Sequence, residues 1–236
     1  MSARTLFPKG VPVQVAGAPF PFLKGGKRRG TRSAVPRWAG MRNPSETLVE
    51  GANALEEADQ AVAEAVLPIR QKPAVRLVGA LSEIGDQPEM RTLSAGLIGA
   101  GFLLGNPRLS RAGARMLLAH EIATAAKSFI KARVDRTRPR SLDDGEAPHI
   151  RKGGNRDKEQ TSFPSGHSAG ASSTARAFAR EYPEYSGLAY TAGGLVALAQ
   201  IPRCAHYPTD VGAGIAIGVA GEALSHWLLS HVPSFR

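Results

Sequence analysis

What most limits the fold of this chain is a series of Ala- and Gly-rich stretches in which apolar residues recur at helical spacing and the alternation of strands is scarce. They run roughly over 74–86, 89–105, 109–134, 167–181, 185–202 and 208–231. Turn formers separate them: Gly105-Asn106-Pro107, Tyr182-Pro183 and His206-Tyr207-Pro208. Ahead of them, residues 46–67 carry Leu48, Ala52, Leu55, Val62 and Val66 at helical spacing among acids, which makes an amphipathic helix suited to a membrane surface and unable to span one. Pro68 and Pro73 punctuate it. The expectation is an all-α chain, a helical bundle of about six helices over 46–236.

Several stretches are almost long enough to cross a bilayer. The uncharged runs 92–107 and 185–202 have 16 and 18 residues, against the roughly 20 that a span needs. The last stretch is apolar except for Glu222 and His226, and 112–130 carries Arg115, His120, Glu121 and Lys127. Close-spaced Gly and Ala suit packing between membrane helices, and a charge inside a membrane is tolerated when it faces the bundle interior. The reading favoured is an integral membrane protein with short helices; a soluble, membrane-docked bundle is the alternative.

The formal net charge of +10 suggests nucleic acid, but its distribution does not. Residues 1–45 hold nine Lys and Arg and no acid, which leaves +1 for 46–236. This Gly/Pro-rich segment is expected to be a mostly disordered tail, open to an anionic membrane surface or to plain solvation, and no specific nucleic-acid partner is expected. The single cysteine, Cys204, excludes an internal disulfide and a multi-cysteine zinc cluster. Pro12, Pro19 and Pro21 break the early apolar stretch, so it makes a poor secretory signal.

Three motifs carry chemistry. In "KARVDRTRP" (131–139), Lys131 and Arg138 lie two helical turns apart, and Pro139 disfavours helix at Arg138. A lysine point charge and an arginine fork suit a tetrahedral oxyanion. In "TSFPSGHSAGASSTA" (161–175), Ser165 is a natural N-cap, and Gly166 lets an anion approach the free N–H groups of a helix start, with His167 beside them. In "RCAHYPTD" (203–210), His206 and Asp210 are four apart across a new helix start. A carboxylate on one ring nitrogen fixes the tautomer and frees the other nitrogen to attack. Each motif alone also fits a helix cap, a dipole-favouring basic pair or a surface His–Asp pair. Together they supply anion holders, an acid and an oriented nucleophile at helix termini that can meet at one end of a bundle.

On these residues the chain resembles the type 2 phosphatidic acid phosphatase superfamily, which includes bacterial acid phosphatases and vanadium haloperoxidases. The likeness covers about residues 75–231: Lys131, Arg138 and Pro139; Pro164-Ser165-Gly166-His167; His206 and Asp210. It departs once. Where the family has Ser-Arg six residues before the third-motif histidine, this chain has Ala199-Gln200, and the nearby arginine is Arg203. Either Arg203 reaches the anion from a new position or Gln200 makes a neutral contact, with the first favoured.

The resemblance implies that His206 attacks phosphorus and becomes a phosphohistidine, that Asp210 orients it, and that His167 protonates the leaving oxygen and then activates water. Lys131, Arg138, Ser165 and the Gly166 N–H, joined by Arg203 or Gln200, would hold the oxygens. No metal and no cofactor is implied. The implied substrate is a lipid phosphate (phosphatidate, phosphatidylglycerophosphate or an isoprenyl phosphate) at a membrane, expected to be a bacterial inner membrane. Family members commonly place the site outside the cytoplasm, whereas the eight Lys and Arg of 132–163 pull that loop inward, so the side stays open. Residues 140–163 read as a solvated connector or a mobile lid. The rival functions are a vanadate-dependent haloperoxidase on the same site and a non-catalytic membrane- or nucleic-acid-binding protein led by the tail.

Overall fold

The structure, a computed structural model, describes residues 44–155 and 157–235, all within one unit, Asn43–Arg236. Most of the basic tail expected over 1–45 lies outside the described residues. Among the described residues there are seven α-helices: α1 (Pro44–Val66), α2 (Pro73–Ser82), α3 (Gln87–Leu103), α4 (Pro107–Lys131), α5 (Gly166–Glu181), α6 (Ser186–Leu198) and α7 (Pro208–Leu229). Proline stands in the first turn of α2, α3, α4 and α7, where its missing N–H costs nothing and its fixed φ favours helix. Asn106 caps α4 by accepting from the Leu109 N–H at 3.1 Å.

Two boundaries differ from expectation. The fourth helix ends at Lys131, not 134, and the chain enters a short ribbon of β1 (Val134–Arg136) antiparallel to β2 (Ile150–Lys152). Asp135 and Arg136 are both buried and have different partners, Asn155 and Asp210. Only the two-residue period of a strand sends neighbouring side chains to opposite sides. The sixth helix stops at Leu198, because 199–207 form a turn in which Cys204 takes a left-handed φ of 54°. The charged loop 140–163 is tied down rather than free: Arg138 N–H donates to Glu159 O at 2.8 Å, Gly153 N–H to Arg133 O at 3.2 Å and Ser162 N–H to Arg136 O at 2.9 Å.

Helix α5 is central, packed on α4, α6 and α7, and it buries Ser168, Ala169, Gly170, Ala171, Ser173, Thr174, Ala177 and Ala179. A Cβ on Gly218 of α7 would stand 2.0 Å from Ser172 Oγ and 2.5 Å from Ala169 O, so the two backbones meet where only glycine fits. The larger apolar side chains point the other way: Phe102 and Leu103 of α3, Leu188 and Leu195 of α6, and Trp227 of α7 are all more than half exposed. Small residues inside and large apolar ones outside is the pattern of helices that pack in lipid. Among the described residues, α7 is the one helix long and apolar enough to cross a membrane.

Charges that interrupt the apolar runs face one another. Buried Glu222 of α7 accepts from Arg176 (2.6 Å) and Arg180 of α5, and Arg115 of α4 pairs with Glu181 of α5 at 2.6 Å. The Glu181 cluster closes one end of the bundle, and the three motifs gather at the other. Replacing Gly218 by Val should cost about 1–3 kcal/mol through overpacking. Gly212→Ala, on an open helix face with nothing within 4 Å, should be neutral or slightly stabilising. Thermal unfolding in detergent followed by circular dichroism checks the contrast.

Candidate active site

His206 sits in the turn before α7, 3% exposed, with its two ring nitrogens in different surroundings. Nδ1 faces Asp210 Oδ2 at 3.7 Å, an electrostatic contact longer than a hydrogen bond. Nε2 lies 3.4 Å from the Arg138 guanidinium. Burial pushes the imidazole down to about 4, a fall that Asp210 opposes and that Arg138 and Lys131 add to. At neutral pH the ring is therefore uncharged. With its proton on the Asp210 side, Nε2 offers a lone pair towards the cations.

Asp210 is itself fixed from several sides. Its Oδ1 accepts from Arg136 at 2.6 Å, and its Oδ2 accepts from Ser162 Oγ at 2.5 Å and the Tyr207 N–H at 2.9 Å. Its backbone carbonyl accepts from the Ser165 N–H at 3.0 Å, which locks the start of α5 to the start of α7. Arg136 lies over the Tyr207 ring at 4.2 Å and reaches back to Asp59 of α1 at 2.7 Å. Asp59 also accepts from the Thr209 N–H at 3.1 Å and from the Thr209 hydroxyl. Asp59 and Arg136 are 2% and 4% exposed and were not found from the sequence. The signal was faint: one acid on the apolar stripe of an amphipathic helix, and one arginine among several in the first motif.

Lys131 and Arg138 flank this group as expected. Lys131 Nζ donates to Thr161 O at 2.5 Å, and Arg138 donates to Ala205 O at 2.7 Å and Lys158 O at 2.6 Å. Burial brings Arg138 down to about 10, still charged at neutral pH. Gly166 opens α5, where the first-turn N–H groups have no intrahelical acceptor. Ser165 is fully buried, and its hydroxyl accepts from the Ser168 N–H at 3.3 Å and from Ser168 Oγ at 2.8 Å. Its oxygen accepts in the cap, and its own O–H proton is left to donate.

A third basic side chain stands here that the motifs do not include. Lys127 lies one turn before Lys131 on α4 and is 8% exposed. Its Nζ is 3.4 Å from where a Cβ on Gly166 would stand, so the ammonium lies against the start of α5. The i, i+4 spacing of Lys127 and Lys131 was the available sign.

The side chains of the two replacements weighed for the missing arginine are engaged on the α2 side of the site. Gln200 is fully buried, and its amide donates to Ser82 Oγ (3.2 Å) and Val196 O (3.0 Å), while its backbone carbonyl accepts from the His206 N–H at 3.3 Å. Arg203 donates to Ser82 Oγ at 2.8 Å and pairs with Glu83. Both side chains turn towards α2 and the turn after it. His167 is brought to the same region, with Nε2 3.4 Å from Asp86 Oδ1 and 3.8 Å from Glu83 Oε2. Those acids were not singled out from the sequence. Glu83, Asp86 and His167 are the one group of described residues whose donor atoms cluster closely enough, within 4.8 Å, to hold a cation. Both acids are about half exposed and already face His167 or Arg203, so they do not by themselves make a metal site.

The depressed His206 fixes a sign. The unfolded imidazole takes its proton near pH ~6.5 and the folded one near 4, so the stability this group contributes is complete above ~6.5 and is lost as pH falls towards 4. Histidine NMR titration, wild type against His206→Asn, should show one imidazole near 4 that vanishes in the variant. Asp59→Ala leaves Arg136 buried without one partner and should cost about 3–5 kcal/mol, measured as the loss in unfolding free energy.

No curated protein sequence matches the chain. Its structure is similar to the crystal structure of a transmembrane PAP2-type phosphatidylglycerolphosphate phosphatase from Bacillus subtilis, with a TM-score of 0.55 and 24% identity over 78% of this chain and 90% of that one. A model of the PAP2 superfamily matches residues 112–232, just over half the chain and the stretch that contains all three motifs, so the chain belongs to the PAP2 superfamily.

Proposed function

We propose that this protein is a membrane-associated phosphatase that hydrolyses a lipid phosphate monoester through a phosphohistidine on His206. The observation that carries the reading is the asymmetry of the His206 ring: buried, held neutral, Nδ1 towards an anchored carboxylate and Nε2 towards arginine.

In the first step the Nε2 lone pair attacks phosphorus, the P–O bond to the lipid alcohol breaks, and His167 gives its proton to the departing oxygen. Asp210 stabilises the positive ring that forms. In the second step His167 takes a proton from water, the water oxygen bonds to phosphorus, and the P–N bond breaks, which releases phosphate and restores His206. Lys131, Arg138 and the N–H groups at Gly166 face the charge that develops on the phosphoryl oxygens. Lys127 joins them, supplying from α4 the charge that relatives draw from the arginine replaced here by Gln200. Side-chain cations do the neutralising in this scheme, and no step calls for a metal. A lipid substrate fits the outward Leu, Phe and Trp of α3, α6 and α7 and the one helix of spanning length.

His206→Ala should abolish phosphate release from short-chain phosphatidate in detergent; turnover at the wild-type rate would rule the mechanism out. Lys127→Met, which keeps the stem and removes the charge, should lower kcat/KM about 10- to 100-fold, with the larger part in kcat if the charge acts on the transition state. An unchanged kcat/KM would remove Lys127 from the site.

A further inference from the structure

Beside the active site lies a pocket of about 320 Å³ lined by Arg70, Arg76, Arg140 and Arg203, with Glu83 in its wall and Gly79 and Ala80 of α2 among the other residues around it. Three of the four guanidinium groups are held in place: Arg70 by Asp143 at 2.8 Å, Arg140 by Glu159 at 2.8 Å, and Arg203 by Glu83 and Ser82. Each of these three is matched by a carboxylate, so the excess positive charge of the pocket is the single one on Arg76. Arg76 is exposed and makes no ion pair among the described residues. Arg203 lies flat along α2 because Gly79 has no side chain; a Cβ there would be 3.2 Å from its Nε.

One carboxylate separates this pocket from the chemistry. Glu83 turns one oxygen to Arg203 and the other towards His167 Nε2, 3.8 Å away. His167 is the group proposed to protonate the leaving oxygen, so the pocket lies on the leaving-group side of the phosphoryl site. We propose that it is a second anion subsite, which takes a phosphate group carried on the leaving-group part of the substrate a few bonds from the scissile oxygen. The inference rests on the phosphatase reading and narrows it: substrates with two phosphates are preferred over phosphatidate, whose leaving alcohol is uncharged. At this size the pocket admits one headgroup anion. Arg76 can close its fork on a phosphodiester or phosphomonoester beside three guanidinium groups already ordered by their carboxylates. Arg203 thereby has a use on the anionic substrate, away from the position of the family arginine.

Two arms test this on the full chain in detergent. In the first, dihexanoyl phosphatidylglycerol, which has a phosphodiester and no monoester to cleave, is titrated calorimetrically into wild type and into the double variant Arg70→Gln/Arg76→Gln. The subsite predicts at least about tenfold weaker binding to the variant, the scale of a lost charged hydrogen bond. Equal affinity overturns it. So does arginine-dependent binding of inorganic phosphate without binding of the lipid. In the second arm, kcat/KM for dihexanoyl phosphatidylglycerophosphate over that for dihexanoyl phosphatidate should exceed one in wild type and fall about tenfold in the variant; an unchanged ratio overturns the proposal. Absence of turnover on both lipids would sink the phosphatase reading, while the binding arm would still decide the subsite.

Discussion

The site depends on one buried carboxylate. Asp210 is fully enclosed and receives hydrogen bonds from Arg136, Ser162 and the Tyr207 backbone, while its own carbonyl holds the Ser165 N–H. Through these contacts β1, the loop before α5, the α5 start and the α7 start converge on a single residue. An ion in such a place is tolerated only when it is thoroughly paired, and Arg136 with Asp59 completes the pairing. The ring of His206 is therefore set by a network that begins in α1, outside the stretch that matches the family.

The same economy of charge shapes the rest of the bundle. Its interior is made of Ala, Gly and Ser, which let α5 approach α4 and α7 closely, and the polar groups that intrude are paired, as Glu222 is with Arg176 and Arg180. A core of small residues contributes little apolar area, so backbone contact and internal ion pairs carry more of the cohesion than in a Leu-rich soluble bundle. One end of the bundle spends its charge on such pairing around Glu181. At the other end Lys127, Lys131 and Arg138 are gathered with no carboxylate among the described residues hydrogen-bonded to them, which is what an anion site requires.

The sequence made the helices legible because spacing and proline breaks report local structure directly. It also made the motif residues legible, because helix termini must be where unpaired N–H groups and oriented side chains meet. Three things were hidden. Val134–Arg136 reads as the tail of a helix, and only its backbone pairing with Ile150–Lys152, further along the chain, makes it a strand. Ser165 reads as a cap and an anion ligand, and nothing local shows that its hydroxyl also accepts from the Ser168 hydroxyl. Asp59 and Lys127 are single charges in long helices, and nothing local shows that one meets Arg136 and the other meets Gly166. The departure at Gln200 was visible, but its consequence was not. The structure places Gln200 and Arg203 against Ser82 and leaves Lys127 to stand over the phosphate-binding turn proposed here.

The most direct measurement of the central claim is a rapid quench during turnover of phosphatidate labelled in its phosphate, followed by mapping of the protein-bound label. The account predicts an alkali-stable, acid-labile phosphoryl group on His206, formed and lost at rates that match turnover, and absent in His206→Asn. Steady phosphate release with no protein-bound label, or with the label on another residue, would contradict it.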